Sequence, residues 1–356
     1  MQLSHTLPVV SAAFDDPNIV SSAGLVPMMK LARQAQLRQL TDEHLSVPGD
    51  KGANAGLKLS SVVAGMIAGA DSIDDLALLR HGAMGKVFER PYAPSTLGSF
   101  LRSFTFGHVR QADAVASRML ANLAGQSPVL GDPGQDSMVM VDIDDTIIEV
   151  HGYAKQGAGF GYSGVRGLNV ILATVTTETT APVIAAQRLR KGSAGSPRGA
   201  ARLATDALAL VRRTHLAGRP VLVRADSAFY SHRMVTAVLG AGADVSITAR
   251  MDPAVKRAIA TIAEESWEKI KYTDAIYDEA AGAWISRAEV AEIPFIAFTS
   301  KKKAERVPGR LVVRRIPELN PSKDSGQGTL FDSWRFHAVF TTTDAALLDT
   351  VAADKT

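Results

Sequence analysis

The chain has 356 residues, 46% of them hydrophobic and 21% charged, which suits a globular protein of about two or three domains and excludes a disordered or fibrous one. It has no cysteine, so disulfides and thiolate metal sites are ruled out and any metal must be held by oxygen or imidazole. The formal charge of +3 and pI of about 9.0 permit a polyanionic partner without requiring one.

Residues from about 20 to 125 read as helical. Ser60 to Leu79 carries Val62, Val63, Met66, Ile67, Ile73, Leu76 and Leu79, and Gly65, Gly69 and Asp71-Ser72 predict a break into two packed helices. Asp71, Asp74 and Asp75 read as capping residues of a first helical turn rather than as a metal cluster. Pro94-Ser95-Thr96 starts a further helix over Leu97 to Phe106, with Arg102, His108 and Arg110 near its far end as solvated termini. The N-terminus lacks a charged region followed by an apolar core, and no apolar run approaches the roughly 20 residues of a membrane span, so a cytoplasmic location without membrane contact is expected.

At Gly131-Asp132-Pro133-Gly134 the composition turns to β-type sequence, which sets the domain boundary. Val139-Met140-Val141-Asp142-Ile143-Asp144-Asp145-Thr146-Ile147 is an apolar strand ending in carboxylates, a common way to hold Mg²⁺ beside a phosphate. Asp142 and Asp144 share one strand face, and Asp145 points the other way, where bonding to backbone amides is its plain structural role. Two further strands, Leu168 to Thr176 and Ala181 to Leu189, complete an antiparallel meander. A helix from about Arg198 to His215 follows, then the strand Arg219 to Asp226, a helix Ser231 to Gly240 and a strand Asp244 to Ala249. The order β-β-β-α-β-α-β is ribonuclease-H-like, in which the first and fourth strands lie side by side and bring Asp144 and Asp226 together. Between Arg250 and Asp332, β-like runs at Ile270 to Tyr277, Ala283 to Ile293 and Arg310 to Ile316 predict a β-rich segment.

Several quoted segments carry a family resemblance. Asp142-Ile143-Asp144-Asp145-Thr146, Phe160 to Leu168 and Arg224-Ala225-Asp226-Ser227-Ala228-Phe229 resemble bacterial insertion-sequence transposases of the DDE type. Ala70 to Asp75 and Pro94 to Gly98 are similar to the insertion-sequence-1380 group in particular. The resemblance implies an α/β (α+β) protein: a helical DNA-binding and dimerisation region over 1–130, a ribonuclease-H-like core over 131–250, a β-rich insertion over 251–332 and the start of the closing strand and helix over 333–356. It implies Mg²⁺, with Mn²⁺ able to replace it, held by Asp144 and Asp226 as catalytic acids, with Asp142 as the fallback. It also implies DNA as partner, both the element's terminal inverted repeats and its target, engaged by a homodimer. The family's third acid, a Glu on a helix after the strand Ser333 to Thr341, has no match: Glu305 and Glu318 precede that strand, Asp344 and Asp349 come early on the helix, and a C-terminally truncated chain of impaired activity is expected.

Two basic groups are candidates for phosphate contact. Lys301, Lys302, Lys303, Arg306, Arg310, Arg314 and Arg315 stand against only Glu305 within a short stretch, and Arg188, Arg190 and Lys191 end the third strand. Arg166 joins them from the Gly-rich stretch. Trp267, Trp284 and Trp334 read as packing residues rather than wedges between bases.

Other readings compete for the same residues. Asp142-x-Asp144-x-Thr146 also fits haloacid-dehalogenase-like phosphatases, with Asp142 as nucleophile, but a β-meander follows and Asp226-Ser227-Ala228-Phe229 lacks the later paired acid. A non-catalytic DNA-binding remnant is the other alternative. Gly159-Phe160-Gly161-Tyr162-Ser163-Gly164 matches G-x-G-x-x-G, yet a strand follows it, so it reads as a flexible turn. His151, His232 and His337 lack metal-ligand spacing, and Ser227 near His232 has no nucleophile-elbow context.

Overall fold

The computed structural model describes residues 16, 18–88, 91–132, 137–152, 154–270, 276–278, 283–285, 288–317 and 334–346. The chain divides into two compact units, Met1–Ser127 and Pro128–Thr356.

The first unit is helical: α1 (Leu25–Gln34), α2 (Leu37–His44), α3 (Ala55–Ile67), α4 (Pro94–Arg102) and α5 (Phe106–Ala124). Among the described residues, three small apolar clusters hold it, one around Leu79 and Met84, one around Leu40 and Val115, and one around Leu45 and Phe100. The break expected over Gly65, Gly69 and Asp71-Ser72 falls between Ile67 and Asp74, and the second piece, Asp74–Arg80, is a 3₁₀ helix. Gly65 lies inside α3, where a Cβ would sit 2.1 Å from Leu76 Cδ2, so this glycine serves close packing and not the break. Asp75 accepts from both the amide and hydroxyl of Ser72 at 2.8 Å, which holds its carboxyl below the usual range and accounts for it as a cap. The helix expected over Leu97 to Phe106 is two helices, because Thr105 and His108 form a capping box that starts a new one at Phe106.

The second unit is built on a mixed sheet. Its strands are β1 (Val139–Glu149), β2 (Gly159–Phe160), β3 (Arg166–Thr176), β4 (Val183–Lys191), β5 (Val221–Ala225), β6 (Asp244–Thr248), β7 (Glu268–Lys269), β8 (Ile276–Asp278), β9 (Ala283–Ile285), β10 (Glu289–Ala297), β11 (Val307–Pro317) and β12 (Trp334–Thr341). Its helices are α6 (Ala200–Val211), α7 (His232–Gly240) and α8 (Pro253–Ile259). Among the described residues, ten strands share one sheet in the order β2-β3-β1-β5-β6-β12-β11-β10-β7, with β4 also paired to β3, while β8 and β9 form a separate hairpin.

β1 is antiparallel to β3 and parallel to β5, and β5 is parallel to β6. The run β4-β3-β1-β5-β6 is therefore the expected ribonuclease-H-like order. Alternation explains how β1 sits: Val139, Val141 and Ile143 are buried, while Met140, Asp142 and Asp144 lie on the other face. α6, buried through Leu203, Ala204, Ala207 and Leu208, packs on β1, β3 and β4, and α7 packs beside it on β6. Ser231 caps α7, and Asp252 caps α8 ahead of Pro253.

Beyond β6 the sheet continues through β12, β11 and β10, all antiparallel. The segment expected as an insertion thus supplies strands that hydrogen bond into the core sheet. The single run expected over Ala283 to Ile293 is two strands, β9 and β10.

Candidate active site

The parallel register of β1 and β5 builds the site. Asp142 pairs with Arg224 and Ile143 with Ala225, the last pair of the ladder, so Asp144 and Asp226 occupy the next position along. Both carboxylates are exposed. Each is oriented by one backbone amide through Oδ1: Asp145 N donates to Asp144 at 2.7 Å, and Ala228 N donates to Asp226 at 2.9 Å in a one-turn 3₁₀ helix, Ser227–Phe229. Among the described residues neither Oδ2 has a protein hydrogen bond, so each acid keeps an open oxygen ligand.

That donor set fits a divalent cation: hard carboxylate oxygens, anchored on one side and open on the other. Among the described residues, no group of three or more His, Asp or Glu gathers that could hold a metal. Of the four acids considered as a third ligand, Glu318 and Asp349 lie outside the described residues. Glu305 lies in the turn Lys303–Glu305 before β11, and Asp344 follows β12 with its carboxylate accepting from Ala346 N.

Asp142 is occupied. Arg224 Nε donates to its Oδ1 at 2.5 Å and Nη2 to its Oδ2 at 2.8 Å, a bidentate pair. A carboxylate clamped at both oxygens is a poor nucleophile, so the phosphatase reading is not favoured. A signal for this pairing lay in the sequence as the matched spacings Asp142-x-Asp144 and Arg224-x-Asp226, which a parallel register lays side by side.

Asp145 corrects a second expectation. It is bonded to side chains rather than backbone amides: Asn169 Nδ2 at 2.6 Å, Arg190 Nη2 at 2.8 Å and Ser196 Oγ at 3.1 Å. Asp145 and Arg190 side chains are each 6% exposed. Arg190 also donates to Asn169 Oδ1 and to the carbonyls of Gly195, Ser196 and Arg198. Burial pulls its guanidinium below the ordinary arginine value, and Asp145 opposes that pull. Arg190 is therefore spent inside the protein and has no reach to a phosphate.

Other predicted DNA contacts divide similarly. Arg188 pairs with Asp206 at 3.0 Å, Arg166 donates to the carbonyls of Val150 and Gly152 at 3.0 Å, and Arg310 pairs with Glu292 at 2.5 Å. Arg315 is 6% exposed, bonded to Glu264 and Glu289, and sandwiched between Trp267 and Trp334 at 4.3 and 4.4 Å. Its bonds to Glu264 raise the Arg315 value further above the ordinary one. Arg314 lies half-buried on β11 opposite His337. Lys191, Lys301, Lys302, Lys303 and Arg306 are exposed, with Arg306 Nε donating to Lys301 O at 3.2 Å. The Trp284 side chain lies outside the described residues.

The exposed lysine turn is tied to the acid-bearing segment. Phe298, in the left-handed region at φ 60°, stacks on Tyr230 with ring centres 5.1 Å apart and meets His232 edge-on at 5.4 Å. His232 Nε2 lies 2.8 Å from the Glu305 carbonyl oxygen. The residues four and six beyond Asp226 thus grip both ends of the turn carrying Lys301 to Lys303. Burial, assisted by Asp252, pushes the Tyr230 phenol up to about 12. No periodicity in the sequence pointed to this clasp.

Comparison with known proteins adds the family. Residues 4–321 match the family described as Transposase DDE domain group 1. The chain belongs to that family. Among solved structures, this transposase-family chain is similar to the piggyBac transposase in a cryo-EM structure of its synaptic complex with hairpin DNA. The identity is 10% and the TM-score 0.36, over 93% of this chain and 61% of that one, a likeness too loose to transfer any residue's role. The chain thus spans about three fifths of the length of that relative. No curated protein matches it. Among the described residues, no helix is long and apolar enough to cross a membrane.

Proposed function

We propose that the chain is the transposase of a bacterial insertion sequence, of the insertion-sequence-1380 group, which cuts and joins DNA strands with Asp144 and Asp226 as its metal-binding acids. The observation that carries this is the β1–β5 register, which sets two exposed, amide-anchored carboxylates side by side where the parallel ladder stops, Asp144 midway along β1 and Asp226 just past the end of β5, in a chain of the DDE family. Mg²⁺, or Mn²⁺ in its place, would activate the attacking water or 3′-hydroxyl and stabilise the leaving oxygen when bound there. The protein's own contribution is positioning: the Asp145 and Ala228 amides fix the two acids, and the Arg224–Asp142 pair beside them holds the two strands in register.

Exposed Lys301, Lys302, Lys303, Arg306 and Lys191 are the phosphate contacts of this reading. Arg190 and Arg315 are left out because their donors are already used. The partners are the element's terminal inverted repeats and target DNA, bound by a homodimer in the cytoplasm. Nicking of a duplex bearing the element's end in Mg²⁺ or Mn²⁺ tests the reading. Asp144→Asn and Asp226→Asn should each reduce cleavage to background while binding persists, and full cleavage by either variant would overturn it. Replacing Lys301, Lys302 and Lys303 together by Ala should flatten the dependence of log affinity on log salt by about 3.

A further inference from the structure

The Gly-rich stretch read as a flexible turn is clamped. Gly192 N donates to Gly157 O at 3.0 Å. A Cβ on Gly192 would lie 2.1 Å from Gly167 O and 2.3 Å from Gly159 O, and one on Gly161 would lie 2.6 Å from Gly192 O. Backbone is packed on backbone, so the glycines serve close approach rather than looseness.

On this clamped loop two aromatic rings face solvent: Phe160 is 67% exposed and Tyr162 81%. Val165, 37% exposed, follows three residues after Tyr162 in the same loop. The backbone is held independently of the rings, so the fold gains nothing from leaving two large aromatic side chains in solvent, and a ligand that covers them would. Lys155 and Lys191 are both exposed, with side-chain carbons close to Gly152 and Gly157, and among the described residues they outnumber the one exposed acid at the base of the loop, Glu149 opposite Gly167. The loop leaves the strand that carries Asp144. Phe160 pairs with Arg166, which in turn lies opposite Val150 at the end of β1, six residues and about 20 Å along the strand from Asp144.

We propose that Phe160 and Tyr162 form a stacking platform for unpaired DNA bases at the far end of β1 from the ladder with β5, several nucleotides along a bound strand from the acids, with Lys155 and Lys191 engaging the adjoining phosphates. Flat π-faces on a rigid support, bordered by lysines, match a single strand, whose bases are free to stack and whose backbone is anionic. A closed duplex offers no such faces at its side. The inference rests on the reading of the chain as a DNA-cutting enzyme and adds the state of the DNA it holds.

Metal-free fluorescence anisotropy with a labelled oligo(dT) of about 16 nucleotides and with a random duplex of equal length tests it. The double variant Phe160→Ala/Tyr162→Ala should lose about 10-fold or more in oligo(dT) affinity, with its salt slope and duplex affinity unchanged. Tyr162→Trp alone should retain the affinity. Lys155→Ala/Lys191→Ala should instead lower the oligo(dT) salt slope by about 1.4. Unchanged oligo(dT) affinity in the aromatic double variant, or an equal loss on duplex, overturns the platform while leaving metal-dependent cleavage as the test of the reading beneath it. An intact aromatic effect in a protein that never cuts DNA overturns that reading alone. Failure of the unaltered protein to bind either oligonucleotide overturns both.

Discussion

The two faces of β1 treat neighbouring aspartates in opposite ways. On one face Asp145 is buried with Arg190, Asn169 and Ser196, and every charge there is answered by another part of the same chain. On the other, Asp144 stands exposed next to Asp226, each held by one amide and open at its second oxygen. The difference teaches that a charge in a functional-looking motif says little until its partners are known. A buried carboxylate must be paired to be tolerated at all, whereas an exposed one can be left open for a ligand.

The contrast can be broken from the closed side first. Arg190→Met strands the Asp145 carboxylate in a buried site and should cost about 3–5 kcal/mol, read from the urea midpoint, with Asp145→Asn in the same chain recovering part of it. A loss under about 1 kcal/mol would mean that the network is solvated and the two faces are alike.

The flank of the open side gives a smaller, pH-dependent effect. Tyr230 holds its proton to about 12 in the folded state, against an ordinary value of 10.0. Between those values the unfolded chain has lost the proton and the folded chain has kept it, so stability falls as pH rises through this window. Because the ring is only partly enclosed, the fall is about 1–2 kcal/mol after allowance for solvent screening. Tyr230→Phe should remove that component of the pH slope and leave stability below the window little changed.

Smallest of all is the effect at the open acid. Asp144→Asn should shift stability by no more than about 0.5 kcal/mol, since no buried partner depends on the carboxylate. Set beside the expected loss of cleavage, this separates a residue kept for chemistry from one kept for folding. A large destabilisation would place Asp144 with Asp145.

Much of the fold could be read along the chain. Alternation over Val139 to Ile143, the meander after it and the second apolar strand before Asp226 all depend on local periodicity, and their succession matches the observed core order β4-β3-β1-β5-β6, whereas the extension through β12, β11, β10 and β7 was not legible. Boundaries were less readable where capping decides them. The helix expected through Phe106 ends at Arg102 because Thr105 and His108 cap the next one. Ala283 to Ile293 reads as one β-type run, yet Ala283–Ile285 pairs in a hairpin and Glu289–Ala297 pairs with β11.

By itself, then, the sequence determined roughly where strands and helices form, which face of β1 is apolar, and which acids lie on the first and fourth strands of the core; that β1 runs on past Asp144 to Glu149 came only from its pairing with β3. Those properties arise from side chains a few residues apart. Only the tertiary structure decided which charges are spent: Arg224 on Asp142 across 82 residues, Arg190 on Asp145 across 45, and Arg315 on Glu264 across 51. Such pairs form where strand register and helix packing bring distant segments within hydrogen-bond reach. A run of basic residues looks uniform along the chain, and only the folded protein sorts it into internal struts and exposed cations.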